Sequence, residues 1–141
     1  SYSQTKISDQ DLDDWRKELT ESVDKLSAIE VSFNSLIDGA GDDSGFAFSS
    51  RSLQQSLGEV RRLFIPLQLL VDMYDPKDSS DIPIGKSYGF YITSLLELEE
   101  ERLRFINSQF SHPYLANAID SASVLIIGAK LIARRFQYNN L

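Results

Sequence analysis

The sequence predicts an all-α fold, a single-domain antiparallel four-helix up-and-down bundle. Three observations carry this. Apolar residues recur at alternating spacings of three and four in four separate segments. Short polar stretches rich in glycine, proline and small residues join them, and no apolar–polar alternation is long enough to build a sheet. With 141 residues, 42% apolar and 25% charged, the chain can bury one core and is too apolar for wholesale disorder.

The first helix is expected over roughly 8–38. Ser8 is its N-cap, and Asp9, Asp11, Asp13 and Asp14 load the first turns with negative charge that the helix dipole favours. Leu12, Trp15, Leu19, Ser22, Leu26, Ile29, Phe33 and Leu36 then form a heptad seam, which ends at Gly39 and Gly41. Residues 42–50 read as a loop whose Phe46 and Phe48 fold back as a lid. The second helix is expected over roughly 50–74, since Ser52 and Gln55 have capping-box spacing and Leu53, Leu57, Val60, Phe64, Leu67, Val71 and Tyr74 follow as a seam. Pro66 lies inside that seam, and an interior proline removes a backbone hydrogen bond at a cost of ~3 kcal/mol or more, so a kink or break is predicted there.

Residues 75–85 read as a loop and the third helix as roughly 86–109, with a broad apolar stripe that includes Tyr88, Tyr91, Ile92, Leu95, Leu96, Leu98, Leu103, Phe105 and Ile106. Ser111-His112-Pro113 is a break and restart, with Pro113 suited to a first helical turn. The fourth helix, roughly 113–138, has a seam of Leu115, Ala118, Ala122, Leu125, Ala129, Ile132 and Phe136. With Val124, Ile126, Ile127 and Leu131 beside that seam, it is expected to be the most buried helix.

Charge is uneven. Residues 1–50 carry 11 acids and four bases, whereas residues 51–141 carry ten of each, and the whole chain is at −7. That balance argues against nucleic acid as a partner, because such binding rests on neutralising phosphate. No apolar run approaches the ~20 residues of a membrane span. Without cysteine there is no disulfide, thiolate metal site or thiol nucleophile. A cysteine-free protein suits either redox compartment; a soluble, cytoplasmic setting is the expectation.

No catalytic set, metal or cofactor is predicted. Asp9, Asp11 and Asp13 open like a calcium loop, but its glycine position is Asp14 and its bidentate glutamate position is Thr20. A di-iron bundle needs two Glu-x-x-His motifs, and the one histidine, His112, follows Gln109. Met73 and His112 fall at opposite ends of the bundle, too far apart to share a haem. Ser44 in its Gly41–Gly45 loop shares an end with His112, but no carboxylate completes a triad. Glu97, Glu99, Glu100 and Glu101 read as a solvated face, with Glu100 and Arg104 as a helical ion pair.

Two groups of residues remain as site candidates. Trp15, Tyr74, Tyr88, Tyr91, Phe136 and Tyr138 gather toward one end of the bundle as a pocket for a small molecule or partner, while Phe33, Phe46, Phe48, Phe105, Phe110 and Tyr114 gather toward the other. Leu63, Ile65, Pro66, Leu69, Leu70 and Met73 make the second helix apolar nearly all round, as an interaction surface does. The favoured function is a non-catalytic protein-interaction or regulatory module, whose acidic first helix suits a partner with a basic surface; self-association is compatible with it. A small-molecule-sensing domain of a larger receptor is the alternative, and an enzyme with an unannounced site is third.

Overall fold

The computed structural model describes residues 6–109 and 112–139; Phe110 and Ser111 lie outside the described residues. Four helices follow one another: α1 (Asp9–Asp38), α2 (Ser44–Met73), α3 (Asp81–Gln109) and α4 (Pro113–Gln137). At 1.5 Å per residue they are about 38–45 Å long, and tight connections turn each back along its predecessor. The helices pack as a four-helix bundle. The α1–α2 and α3–α4 pairings are the most extensive, α2 also packs on α3, and α4 touches α1 more lightly. Helices α1 and α3 occupy opposite corners, with no contact between their backbones.

The helix ends have local causes. The Ser8 hydroxyl accepts from the Asp11 N–H at 3.1 Å while the Asp11 carboxylate accepts from the Ser8 N–H at 3.0 Å, a reciprocal capping box. Gly41 takes the left-handed conformation at φ 58°, where L side chains are disfavoured, and Asp43 then caps α2 by accepting from the Phe46 N–H. Helix α2 therefore starts six residues before the expected position. Ser52 and Gln55 are interior helical residues rather than a cap, and Phe46 and Phe48 ride on the first turns rather than forming a lid. Helix α3 also starts early. Its third residue, Pro83, costs nothing because the first-turn N–H groups have no intrahelical acceptor. His112 caps α4, its Nδ1 accepting from the Tyr114 N–H, and Pro113 opens the helix as expected.

Helix α2 runs through Pro66 without a break. The seams of α1 and α2 form the core largely as predicted, with Ile29 and Leu36 partly buried and all seven α2 residues buried. In α4 the buried column is displaced. Ile119, Ile126 and Ala133 are buried, Leu125 and Ala118 are only partly so, and Val124, Ile127 and Leu131 are exposed. The fourth helix is thus amphipathic rather than wrapped on all sides. It is long and apolar enough to cross a membrane by length and composition alone, a test that bundle core helices also pass.

The α3–α4 pairing depends on Gly89. A Cβ at that position would lie 2.5 Å from the Ala133 carbonyl oxygen and 2.7 Å from the Gln137 backbone nitrogen. Only a residue without a side chain lets the two backbones approach so closely. The acidic run, expected to be solvated, locks the same pair of helices: Lys130 donates to Glu100 at 2.5 Å and Arg134 to Glu97 at 3.1 Å. Glu100 is thereby directed across the interface.

Candidate functional site

The broad stripe of α3 resolves into two seams. One runs inward through Gly85, Gly89, Ile92, Leu96, Glu99 and Leu103, all buried. The other runs through Ile84, Tyr88, Tyr91, Leu95, Leu98, Arg102 and Phe105, again at spacings of four and three. Of these, Ile84, Tyr88, Tyr91, Leu98 and Phe105 are exposed and Leu95 is half-buried. A 3.5-residue repeat on a solvent face is the pattern with which one helix meets another. Here it borders the groove between α2 and α3.

The groove is apolar at both ends. At one end Phe48, Ser52 and Ser56 of α2 face Leu98, Arg102 and Phe105 of α3 around a recess of about 560 Å³. At the other, Pro66, Leu69, Leu70 and Met73 face Ile84 and Tyr88 around a cleft of about 210 Å³. Four members of the predicted interaction surface therefore line one wall. Of the other two, Leu63 packs partly into the core and Ile65 is exposed but does not line the groove. Between the two ends lie Glu59 and Arg62, ion-paired at 3.0 Å.

Beneath the groove, Glu99 is 5% exposed on the inward seam. One of its oxygens accepts from Arg102 at 2.9 Å; the other is buried without a hydrogen-bond partner. Burial raises its pKa above the ordinary carboxylate value, Arg102 opposes the rise, and Glu59 adds to it. The site therefore holds one buried carboxyl whose charge is disfavoured.

The six aromatics expected to form one pocket divide into two sets. Trp15, Tyr74 and Phe136 are buried and packed on one another. Phe136 lies edge-on to Trp15 with centroids 5.4 Å apart, and to Tyr74 at 5.1 Å. Arg135 covers the Trp15 ring at 5.3 Å, and the Tyr74 hydroxyl accepts from Asn139 at 2.6 Å. Burial and the neighbouring Asp81 raise the Tyr74 pKa, and the Asn139 hydrogen bond counters them. The three rings form part of the core at this end of the bundle. Tyr88, Tyr91 and Tyr138 are more than half exposed, and Tyr88 belongs to the α2–α3 groove.

Sequence reasoning missed three participants. The sequence places Phe48 in a loop and Ile84 in the linker before α3, and groups Phe105 with one end of the bundle rather than with the groove. The available signal was the second 4–3 progression within α3. At the His112 end, the ring packs against Phe46 at 4.6 Å, and its Nδ1 accepts from the Tyr114 N–H. Among the described residues no group of three histidine or carboxylate side chains is placed to hold a metal ion. Compared with protein-family models, with curated proteins and with solved structures, the chain matches none.

Proposed function

We propose that this chain is a non-catalytic helical interaction module whose docking face is the groove between α2 and α3. The observation that carries the reading is the outward seam of α3, a heptad pattern left facing solvent beside an apolar wall of α2. Exposed apolar surface rimmed by polar residues marks interaction sites, and a heptad seam is completed by another helix. The recesses at the groove ends accept side chains projecting from that helix.

A ligand-sensing bundle is the second reading, favoured by the recess at Phe48 and Phe105. Its volume of about 560 Å³ is within the range of small-molecule sites, and Ser52, Ser56 and Arg102 offer polar groups there. Its open side and the filled aromatic cluster at the far end support a macromolecular occupant over an enclosed small molecule.

A photoreactive phenylalanine analogue at Tyr91, in the full chain within its own source, tests the choice. The expected result is a covalent adduct with a polypeptide, absent when the same probe replaces Val124 on the outer face of α4. A Tyr91 probe that captures no polypeptide, together with a metabolite-sized increment in native mass, would replace the interaction reading with sensing.

A further inference from the structure

We propose that the occupant of the α2–α3 groove is a second copy of this chain, docked so that the two α3 helices run antiparallel. This rests on the interaction reading above and specifies its partner. The outward seam of α3 is self-complementary about a twofold axis between Leu95 and Leu98. Reversing one strand brings together seam residues whose positions mirror about that point. Leu95 meets Leu98 of the second copy, Tyr91 meets Arg102, Tyr88 meets Phe105, and Ile84 meets Gln109. The layers run outward from an aliphatic centre through a cation–π pair and an aromatic pair to a polar end, and none sets like charges opposite one another.

The flanks of the seam suit the same geometry. On the solvent side they are Ser87, Ser94, Glu101 and Ser108, three small residues and a single charge. Glu101 then lies beside Ser94 of the second copy. The axis also sets the Pro66–Met73 wall of one copy over the Phe48 wall of the other, so each apolar end of the groove covers its opposite.

Area and charge agree with this arrangement. Phe48, Tyr88, Tyr91 and Phe105 are between 53% and 71% exposed. At about 150–250 Å² per aromatic side chain they supply roughly half to three quarters of the ~800 Å² that a stable interface takes from each partner. Leu69, Met73, Ile84 and Leu98 add to it. The charge that opposes self-association is concentrated on α1, at the corner of the bundle opposite α3. Joining two copies through α3 holds the two acidic helices as far apart as the fold permits, so their repulsion is strongly screened by salt.

The 141-residue chain of 15.9 kDa is expected to sediment as a dimer at twice that mass, dissociating on dilution. Tyr91→Lys sets a second cation at the Arg102 layer and is expected to weaken the dimer about tenfold or more, whereas Tyr91→Glu supplies an anion there and retains it. Circular dichroism checks that both variants keep their helices. Because the chain has no cysteine, the register can be read directly: mixed Tyr91→Cys and Arg102→Cys proteins should form a disulfide across the interface, and neither variant should do so with itself. A monomeric mass at every concentration, equal weakening by both Tyr91 variants, or a disulfide within either single variant would overturn the proposal. A monomeric chain whose Tyr91 probe captures a different polypeptide removes the second copy and leaves the interaction reading standing; a monomer whose probe captures nothing removes both.

Discussion

Replacing Gly89 by alanine should destabilise the protein, whereas the same change at Gly128 should stabilise it. Both glycines lie in helix interiors, where alanine is favoured by about 1 kcal/mol through its backbone entropy. At Gly128 the nearest obstacle to a new Cβ is a carboxylate oxygen of Glu18 at 3.1 Å, the far end of a flexible side chain that can move aside. At Gly89 the obstacles are the Ala133 carbonyl oxygen at 2.5 Å and the Gln137 nitrogen at 2.7 Å, both main-chain atoms of α4. Neither rotates away, so α4 must shift by about 1 Å along the most extensive interface in the bundle, where Lys130 and Arg134 also tie it to α3. Overpacking of this kind costs about 1–3 kcal/mol, and a clash with main chain belongs at the upper end. After the gain in helix propensity, a net loss of about 2 kcal/mol is expected for Gly89→Ala, against a gain of up to about 1 kcal/mol for Gly128→Ala. Urea unfolding followed by circular dichroism measures both, as midpoint shifts of opposite sign at unchanged slope. Equal stabilisation by the two substitutions would refute the close approach of α3 and α4.

Ile126→Ala, at a fully buried side chain, should cost about 2–5 kcal/mol in the same assay, whereas Ile127→Ala, at an exposed neighbour, should stay within about 0.5 kcal/mol; the reverse order would move the buried face of α4. Pro66→Ala restores the N–H that the Arg62 carbonyl lacks and should raise stability by up to ~3 kcal/mol, while removing part of the groove wall and weakening whatever binds there. Unchanged binding would show that the proline ring contributes nothing to docking. Glu99 has a folded-state pKa above its unfolded value, so the folded state holds its proton more tightly. Its contribution is fully present below the unfolded pKa and is lost as pH rises from about 4.5 through the raised folded value. Glu99→Gln should flatten that part of the stability–pH curve, and an unaltered slope would assign the dependence to another carboxyl.

Much of the fold was legible because helix formation and termination are local. Ser8 and Asp11, three residues apart, satisfy one another's backbone partners without help from the rest of the chain, and His112-Pro113 opens α4 for equally local reasons. The early start of α2 was hidden because two cap signals competed. The Asp43 carboxylate captures the Phe46 N–H after the Gly41 turn, and Ser52 becomes an ordinary interior residue of the helix.

By itself the sequence determined the number of helices, the seams that α1 and α2 bury and, through its lack of cysteine, that no disulfide or thiolate metal site can form. Those properties depend on which residues occur and on spacings of three and four along one strand. Only the tertiary structure decided which of the two α3 seams turns inward. Both have heptad spacing, and the inward one is chemically the less obvious, because it contains Gly85, Gly89 and Glu99. It wins because α4 presents its backbone at Ala133 and Gln137, which only a glycine accommodates, and because Glu97 and Glu100 on the adjoining face meet Arg134 and Lys130. The more apolar seam, with Tyr88, Tyr91 and Phe105, is left at the surface. Periodicity along one helix counts its faces, but steric fit and charge pairing with its neighbour select the face that is buried.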